Sequence, residues 1–350
     1  VLLIDSRPYI GYDLCATQKL WLEPGETPAT PLSRALFGKK RLVTPLEVKR
    51  ALDAALLDHK VQFLTGSFPA ELLVDQDGTP AGLTTVNRSG RQAIRAKVVI
   101  DSTPDALLAR QSQAQFQPFP SGSKDAQFIV VGGNSAEDAD NREIPGIRFV
   151  SKGKQKREYL IYEYTVSIAN QADTFRSRSR DLNRMRSVVY DSAMVDHSER
   201  LLYFPDNPIV PAESSDFCPA GVVNLYILSA YAGGSVSERK KRFQHPCHLA
   251  ATGRDIGMEA ANRAAKLTAP EGLRFPNAAT GKKDSNVSEV APSFRFRDCP
   301  QLELPAHDLP VLGRWDVVVV GGGTSGAPAA IGASRSGGRT LLIEYMDELG

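Results

Sequence analysis

The chain has 350 residues, 42% of them apolar and 23% charged, a make-up that suits one large buried core or two smaller ones. Its 42 basic and 40 acidic side chains nearly cancel, so no overall field draws it to nucleic acid or to an anionic membrane. No stretch approaches the roughly 20 apolar residues of a membrane helix, and Val1 opens on an apolar strand without a basic leader or cleavage site, so neither membrane nor export is expected.

In chain order, Val1-Leu2-Leu3-Ile4-Asp5 reads as a buried strand ending on a carboxylate. Leu341-Leu342-Ile343-Glu344 repeats it 339 positions later, and Gly11 matches Gly350. The repeat is one module long, so the sequence reads as a window on a tandem protein, running from strand two of one copy to just past strand two of the next. By that repeat Asp5 is a ribose ligand; a strand-end cap is the plainer alternative. Thr44 and Glu47 form a capping box with Pro45 at the first helical position, giving a helix to about Asp58. Val61 to Thr65 is a short strand. Glu71 to Arg95 alternates around turns at 76–78 and 87–90, as an antiparallel meander does. Val98 to Asp101 returns to a buried strand, and Ser102-Thr103-Pro104-Asp105 starts a helix through Arg110.

Residues 115–244 read as a mainly β lobe, with strands at Tyr159 to Ile168, Leu201 to Phe204 and Val222 to Leu228. A helix over Phe175 to Val195 carries Arg176, Arg178, Arg180, Arg184 and Arg186. These arginines either grip a carboxylate substrate or form a solvated face. His245-Pro246-Cys247-His248 follows, placing an acid, a base or a thiol beside a substrate, or forming an ordinary polar loop. A small-residue helix covers Gly253 to Leu267, and Thr268 to Arg314 reads as a linker.

The most specific signal is Val317 to Val320, then Gly321, Gly322, Gly323, Thr324, Ser325 and Gly326, an Ala-rich helix, and Glu344. Gly321 permits the sharp turn, Gly323 leaves room for a pyrophosphate beside backbone N–H groups, and Gly326 lets helix and strand close up. Glu344 stands where a carboxylate accepts hydrogen bonds from an unphosphorylated ribose. A tight turn in an empty αβ fold is the alternative. Val130-Val131-Gly132-Gly133 lacks the third glycine and a following apolar helix, and is not a second site.

These residues resemble the FAD-dependent oxidoreductases similar to the heterodisulfide reductase flavoprotein and, more distantly, to fumarate reductase flavoproteins. The resemblance implies an α/β fold: a doubly wound parallel-sheet FAD-binding domain, residues 1–114 plus 245–268, interrupted by the β-rich lobe 115–244. A linker, 269–313, and the strand-turn-helix-strand unit 314–350 follow. It also implies FAD contacts at Thr103 and Asp105, with Pro104 replacing a common glycine and removing an N–H. The helix containing Gly257, Ala260 and Ala261 resembles the family's closing helix, whose N-terminus points at the flavin ring; tight packing on a sheet is the plainer reading.

Family members often carry iron-sulfur clusters, but Cys15, Cys218, Cys247 and Cys299 lack that spacing, or that of a zinc site or disulfide framework. No metal is expected, and reduced thiols point to a cytoplasmic protein. The function implied is hydride or electron transfer to or from a small molecule, with no oligomeric state specified. The alternatives are a non-catalytic flavin-fold binding module, since the first copy lacks its own glycine turn, and an NAD-binding dehydrogenase. The sequence further predicts that Asp316 to Gly338 fills the first-strand position beside Val98 to Asp101, with Leu341 to Glu344 displacing residues 1–5.

Overall fold

The structure is a computed structural model and describes residues 1–118, 123–134, 140–151, 156–169, 183–276, 302, 311 and 313–344. The chain divides into two units: Val1–Gln171 with Met185–Pro305, and Ala172–Arg184 with Ala306–Gly350.

The first unit opens with β1 (Leu2–Ile4), then α1 (Tyr12–Thr17), α2 (Pro31–Phe37) and α3 (Pro45–Asp58). The α3 capping box is formed in both directions: Thr44 Oγ1 accepts from the Glu47 N–H at 3.3 Å, and Glu47 Oε2 accepts from the Thr44 N–H at 2.9 Å. Strand β2 (Gln62–Leu64) pairs in parallel with β1, Leu2 opposite Gln62. The meander follows as β3 (Phe68–Val74), β4 (Pro80–Asn87) and β5 (Gly90–Arg95), with β4 central. Gly82 is needed there, because a Cβ would stand 2.0 Å from the Ile94 carbonyl oxygen.

Strand β6 (Val99–Asp101) leads into α4 (Leu107–Gln111). The β lobe is built on β7 (Ser123–Gly132), β8 (Asn141–Glu143), β9 (Phe149–Val150), β10 (Glu158–Tyr159) and β11 (Ile161–Ala169). Residues 183–189 are helical (α5), and β12 (Met194–His197), β13 (Leu202–Tyr203), β14 (Pro211–Ala212) and β15 (Ser215–Pro219) complete it. Strands β12 and β13 both pair with β7, which also pairs along its length with β11, and β8 lies on the far side of β11. The helix expected to Val195 therefore ends by 189, its last part giving way to β12; Arg176, Arg178 and Arg180 lie outside the described residues.

Strand β16 (Leu225–Ile227) pairs in parallel with β6, although the sequence groups it with the lobe. Its Leu225 and Ile227 share a buried core with Leu72, Val74, Val99, Leu108 and Ile209. Helices α6 (Val236–Phe243) and α7 (Pro246–Ala265) close the unit. Helix α7 begins seven residues before the Gly253 start read from composition, because Pro246 at the first helical position costs no hydrogen bond there.

The second unit contains β17 (Val317–Val320), α8 (Gly326–Arg335) and β18 (Thr340–Ile343), with β17 and β18 paired in parallel. The fold thus mixes helix and strand, and among the described residues its parallel pairings are three separate two-stranded pairs, while most strands pair antiparallel. A continuous doubly wound sheet is not formed by these pairings. Residues 1–5 are not displaced, since β1 pairs with β2 through Leu2, Leu3 and Ile4; among the described residues β6 pairs with β16, and β17 with β18.

Candidate functional site

In the second unit, four valines form β17 and the chain then turns at Gly321, whose φ of +97° is costly for any residue with a Cβ. The Gly321 N–H donates to the Ile343 carbonyl at 2.8 Å, tying the turn to the end of β18. At Gly326 a Cβ would stand 1.8 Å from the Gly321 carbonyl oxygen, so the third glycine is dictated by contact between helix and turn. Gly323 differs, since a Cβ there would meet nothing within 4 Å. Open space lies before it, and the N–H groups of Gly323, Thr324, Ser325 and Gly326 meet no acceptor among the described residues. Ser325 is the N-cap of α8 but makes no capping hydrogen bond with its side chain. Unpaired N–H groups at a helix N-terminus, with room in front, fit the pyrophosphate of a dinucleotide. Glu344 follows β18 and accepts a hydrogen bond from the Gly322 N–H, which brings the acid to the turn.

In the first unit a second set of polar groups converges. The run Lys19-Leu20-Trp21-Leu22 is extended and sorts its side chains by alternation. Leu20 and Leu22 enter a core with Phe37, Val43, Val48 and Cys247, whereas Trp21 packs on Ile129, Val131 and Ile161 of the lobe sheet. Lys19, on the Trp21 side, is 1% exposed and pairs with Glu163 of β11, itself 4% exposed. Arg142, opposite Glu163 on β8, bridges Glu163 at 3.0 Å and Glu23 at 2.8 Å. Gln127 donates to Glu163 at 3.2 Å and accepts from Gln244 at 2.9 Å, carrying the network to the start of α7.

Burial alone would raise the Glu163 pKa, but Lys19 and Arg142 outweigh it and hold the carboxyl below its ordinary range. Burial pulls the Lys19 ammonium down, against the pull of Glu163. His245 is the N-cap of α7; burial and then the Lys19 charge keep its pKa below the usual histidine value, opposed by Glu26 and Glu23. His248 Nδ1 lies 3.6 Å from Glu26 Oε1, and the two histidine rings are 6.4 Å apart, edge to face. Cys247 between them turns the other way, into the apolar core with Cys15, and burial pushes its thiol up to about 11.

The other residues singled out in the sequence lie apart from this cluster. Asp5 Oδ1 accepts from the Arg7 N–H at 2.8 Å, the geometry of a strand-end turn, and burial raises its pKa. Thr103 Oγ1 donates to Asp101 at 2.7 Å and accepts from the Leu107 N–H at 2.8 Å. The buried Asp101 also accepts from the N–H groups of Leu108 and Ala109, so it organises the turn that contains Pro104. The Asp105 carbonyl accepts from Arg110. Gly257 sits within α7 with nothing within 4 Å of its Cβ direction, while Ile256 and Ala260 supply the packing. Arg184 is exposed and Arg186 half-buried. Among the described residues no group of three or more His, Cys, Asp and Glu could hold a metal ion, and no helix is long and apolar enough to cross a membrane.

Lys19, Glu23, Glu26, Arg142 and Glu163 were not singled out in the sequence. Two signals were present: a glutamate inside the aromatic strand Tyr162-Glu163-Tyr164, and a lysine opening the apolar run Leu20-Trp21-Leu22.

Strand, glycine turn, helix and acid-ended strand together have the form of a dinucleotide-binding unit, and this one matches flavoproteins. A family model described as FAD dependent oxidoreductase matches residues 19–171 and 316–350, more than half of the chain. The chain belongs to that family, and FAD is its cofactor. Comparison with curated proteins finds no match. Among solved structures it is similar to AlpK, at 13% identity over 79% of this chain and 59% of that one with a TM-score of 0.43. It is also similar to L-alpha-glycerophosphate oxidase from Mycoplasma pneumoniae with FAD bound, at 17% identity over 66% and 58% with a TM-score of 0.35. Aklavinone-11 hydroxylase in complex with FAD and aklavinone gives 10% over 64% and 42% with a TM-score of 0.38. The chain spans less than two-thirds of the length of each of these structures.

Proposed function

We propose that the chain works as a flavoprotein oxidoreductase of the kind that resembles the heterodisulfide reductase and fumarate reductase flavoproteins. In this reading the pairs β1–β2 and β6–β16 are parts of a doubly wound FAD-binding fold, the sheet of β7, β8, β11 and β12 belongs to its substrate lobe, and β17–β18 carries the glycine turn. FAD, when bound, supplies transfer of a hydride or electrons to or from a small molecule. The N–H groups of Gly323, Thr324, Ser325 and Gly326 hold its pyrophosphate, and Glu344 accepts from the ribose hydroxyls. The carrying observation is the open space at Gly323 beside those unpaired N–H groups. At the N-terminus of α7, His245 and His248 orient the substrate and exchange its proton, against the rigid frame of Lys19, Glu163 and Arg142.

Heat release and mass identification of the cofactor from purified protein tests this. FAD near one per chain is the expected result. NAD in its place favours a nicotinamide dehydrogenase, and a chain that neither carries nor takes up a dinucleotide favours a binding module.

A further inference from the structure

Three side-chain atoms at the start of α7 are fully buried and yet have no hydrogen-bond partner among the described residues: Glu26 Oε1, His245 Nδ1 and His248 Nδ1. Leaving such groups unsatisfied is costly, so their clustering in one place points to a missing ligand atom. Glu26 is nine-tenths buried, and its other oxygen is already used by the Glu23 N–H at 2.9 Å. The 3.6 Å between Glu26 Oε1 and His248 Nδ1 exceeds a hydrogen bond, but an oxygen or nitrogen about 2.8 Å from each would bridge them. The first N–H groups of the helix, on Cys247 and His248, also meet no acceptor among the described residues.

The charges around these three atoms decide what they can bind. Lys19 and Arg142 are committed to Glu163 and Glu23, so neither cation is left to receive an anion. Glu26 Oε1 stands 3.6 Å from His248 Nδ1, and a carboxylate oxygen only accepts hydrogen bonds. We infer that Glu26, His248 and His245 form a binding site for a hydroxyl or amine group, which donates to Glu26 Oε1 and meets the histidine Nδ1 atoms, and that the site rejects carboxylates. This rests on the proposed function only in taking that group to be the substrate's; the site itself is tested without flavin.

Five histidines make the ring spectrum of the full chain simple enough to follow by NMR at pH 8, with His245→Gln and His248→Gln assigning the two signals. Three probes share an isopropyl skeleton: isopropylamine, propan-2-ol and isobutyrate. The amine or the alcohol should shift the His245 and His248 signals in a saturable way, leaving those of His59 and His197 in place. Glu26→Leu should weaken that response at least tenfold. Glu26→Gln, which keeps an acceptor and a matching shape, separates the two sources: it lowers the amine response and preserves the alcohol response. A response to isobutyrate alone overturns the inference. So do equal responses in wild type and Glu26→Leu, stoichiometric binding of added zinc at these histidines, or no response to any probe up to about 100 mM, a range ample for small ligands. If Glu26→Leu does not fold, the wild-type comparison of the three probes and the Glu26→Gln arm still decide it.

Discussion

The Glu344 carboxylate accepts a hydrogen bond from the backbone N–H of Gly322, joining the end of one parallel strand to the glycine turn that follows its neighbour. The pairing of Val320 with Ile343 sets this up, since it puts both strand ends at one level. On the proposed reading, Glu344→Ala removes a ribose acceptor together with the tie on the turn. At about 1.5–3 kcal/mol for a hydrogen bond to a charged group, FAD affinity should fall tenfold or more, and less in Glu344→Gln. Fluorescence titration with FAD checks this; equal affinity in all three proteins would refute the role of Glu344.

Gly326→Ala should disrupt the second unit whether or not FAD is present, because its Cβ would stand 1.8 Å from a backbone oxygen. Gly332→Ala in the same helix meets nothing within 4 Å and should stabilise it by up to about 1 kcal/mol through helix propensity. Hydrogen exchange over residues 317–343 reads both effects. The account requires protection to drop in the first variant and to hold or rise in the second.

Lys19→Met should cost about 3 kcal/mol, since it removes the buried one of the two cations that pair with the Glu163 carboxylate and leaves only the half-exposed Arg142. Adding Glu163→Leu removes the under-compensated buried charge and should recover most of the loss, as Arg142 is half-exposed and keeps Glu23. Urea unfolding of the single and double variants measures this, and a double variant no more stable than Lys19→Met would show that the pair is not the source.

What could be read from the sequence was local. The Thr44-Pro45-Glu47 cap, the turns at 76–78 and 87–90, and the glycine turn each lie within a few residues, so local chemistry fixes them. Lys19 and Glu163 stand 144 positions apart, and only the alternation of Leu20, Trp21 and Leu22 between two cores brings them together. The parallel pairing of Leu225–Ile227 with Val99–Asp101 was likewise hidden, because an apolar three-residue strand carries no mark of its partner. The start of α7 was legible in principle: Pro246 is a good first helical residue, and reading it so would have put His245 at the N-cap.

His245 gives the first unit an acid sensitivity with a definite sign. Burial and the Lys19 charge lower its pKa in the fold below the ordinary 6.5, so the unfolded chain binds the proton more readily. Its contribution to stability is complete above about pH 6.5 and is lost as pH falls from there toward the depressed folded value. Unfolding measured at pH 7.5 and 5.5 should show a smaller decline in His245→Gln than in wild type. An equal decline would place the sensitivity elsewhere.

If the turn after β17 holds FAD, Gly323 is the position to change, because its Cβ direction is open in the fold. Titrating FAD into the wild-type chain and into Gly323→Val, with far-UV circular dichroism to confirm equal folding, is the decisive measurement. The account predicts saturable binding near one FAD per wild-type chain, and affinity at least tenfold weaker in an equally folded variant. Equal FAD binding by both proteins would contradict it.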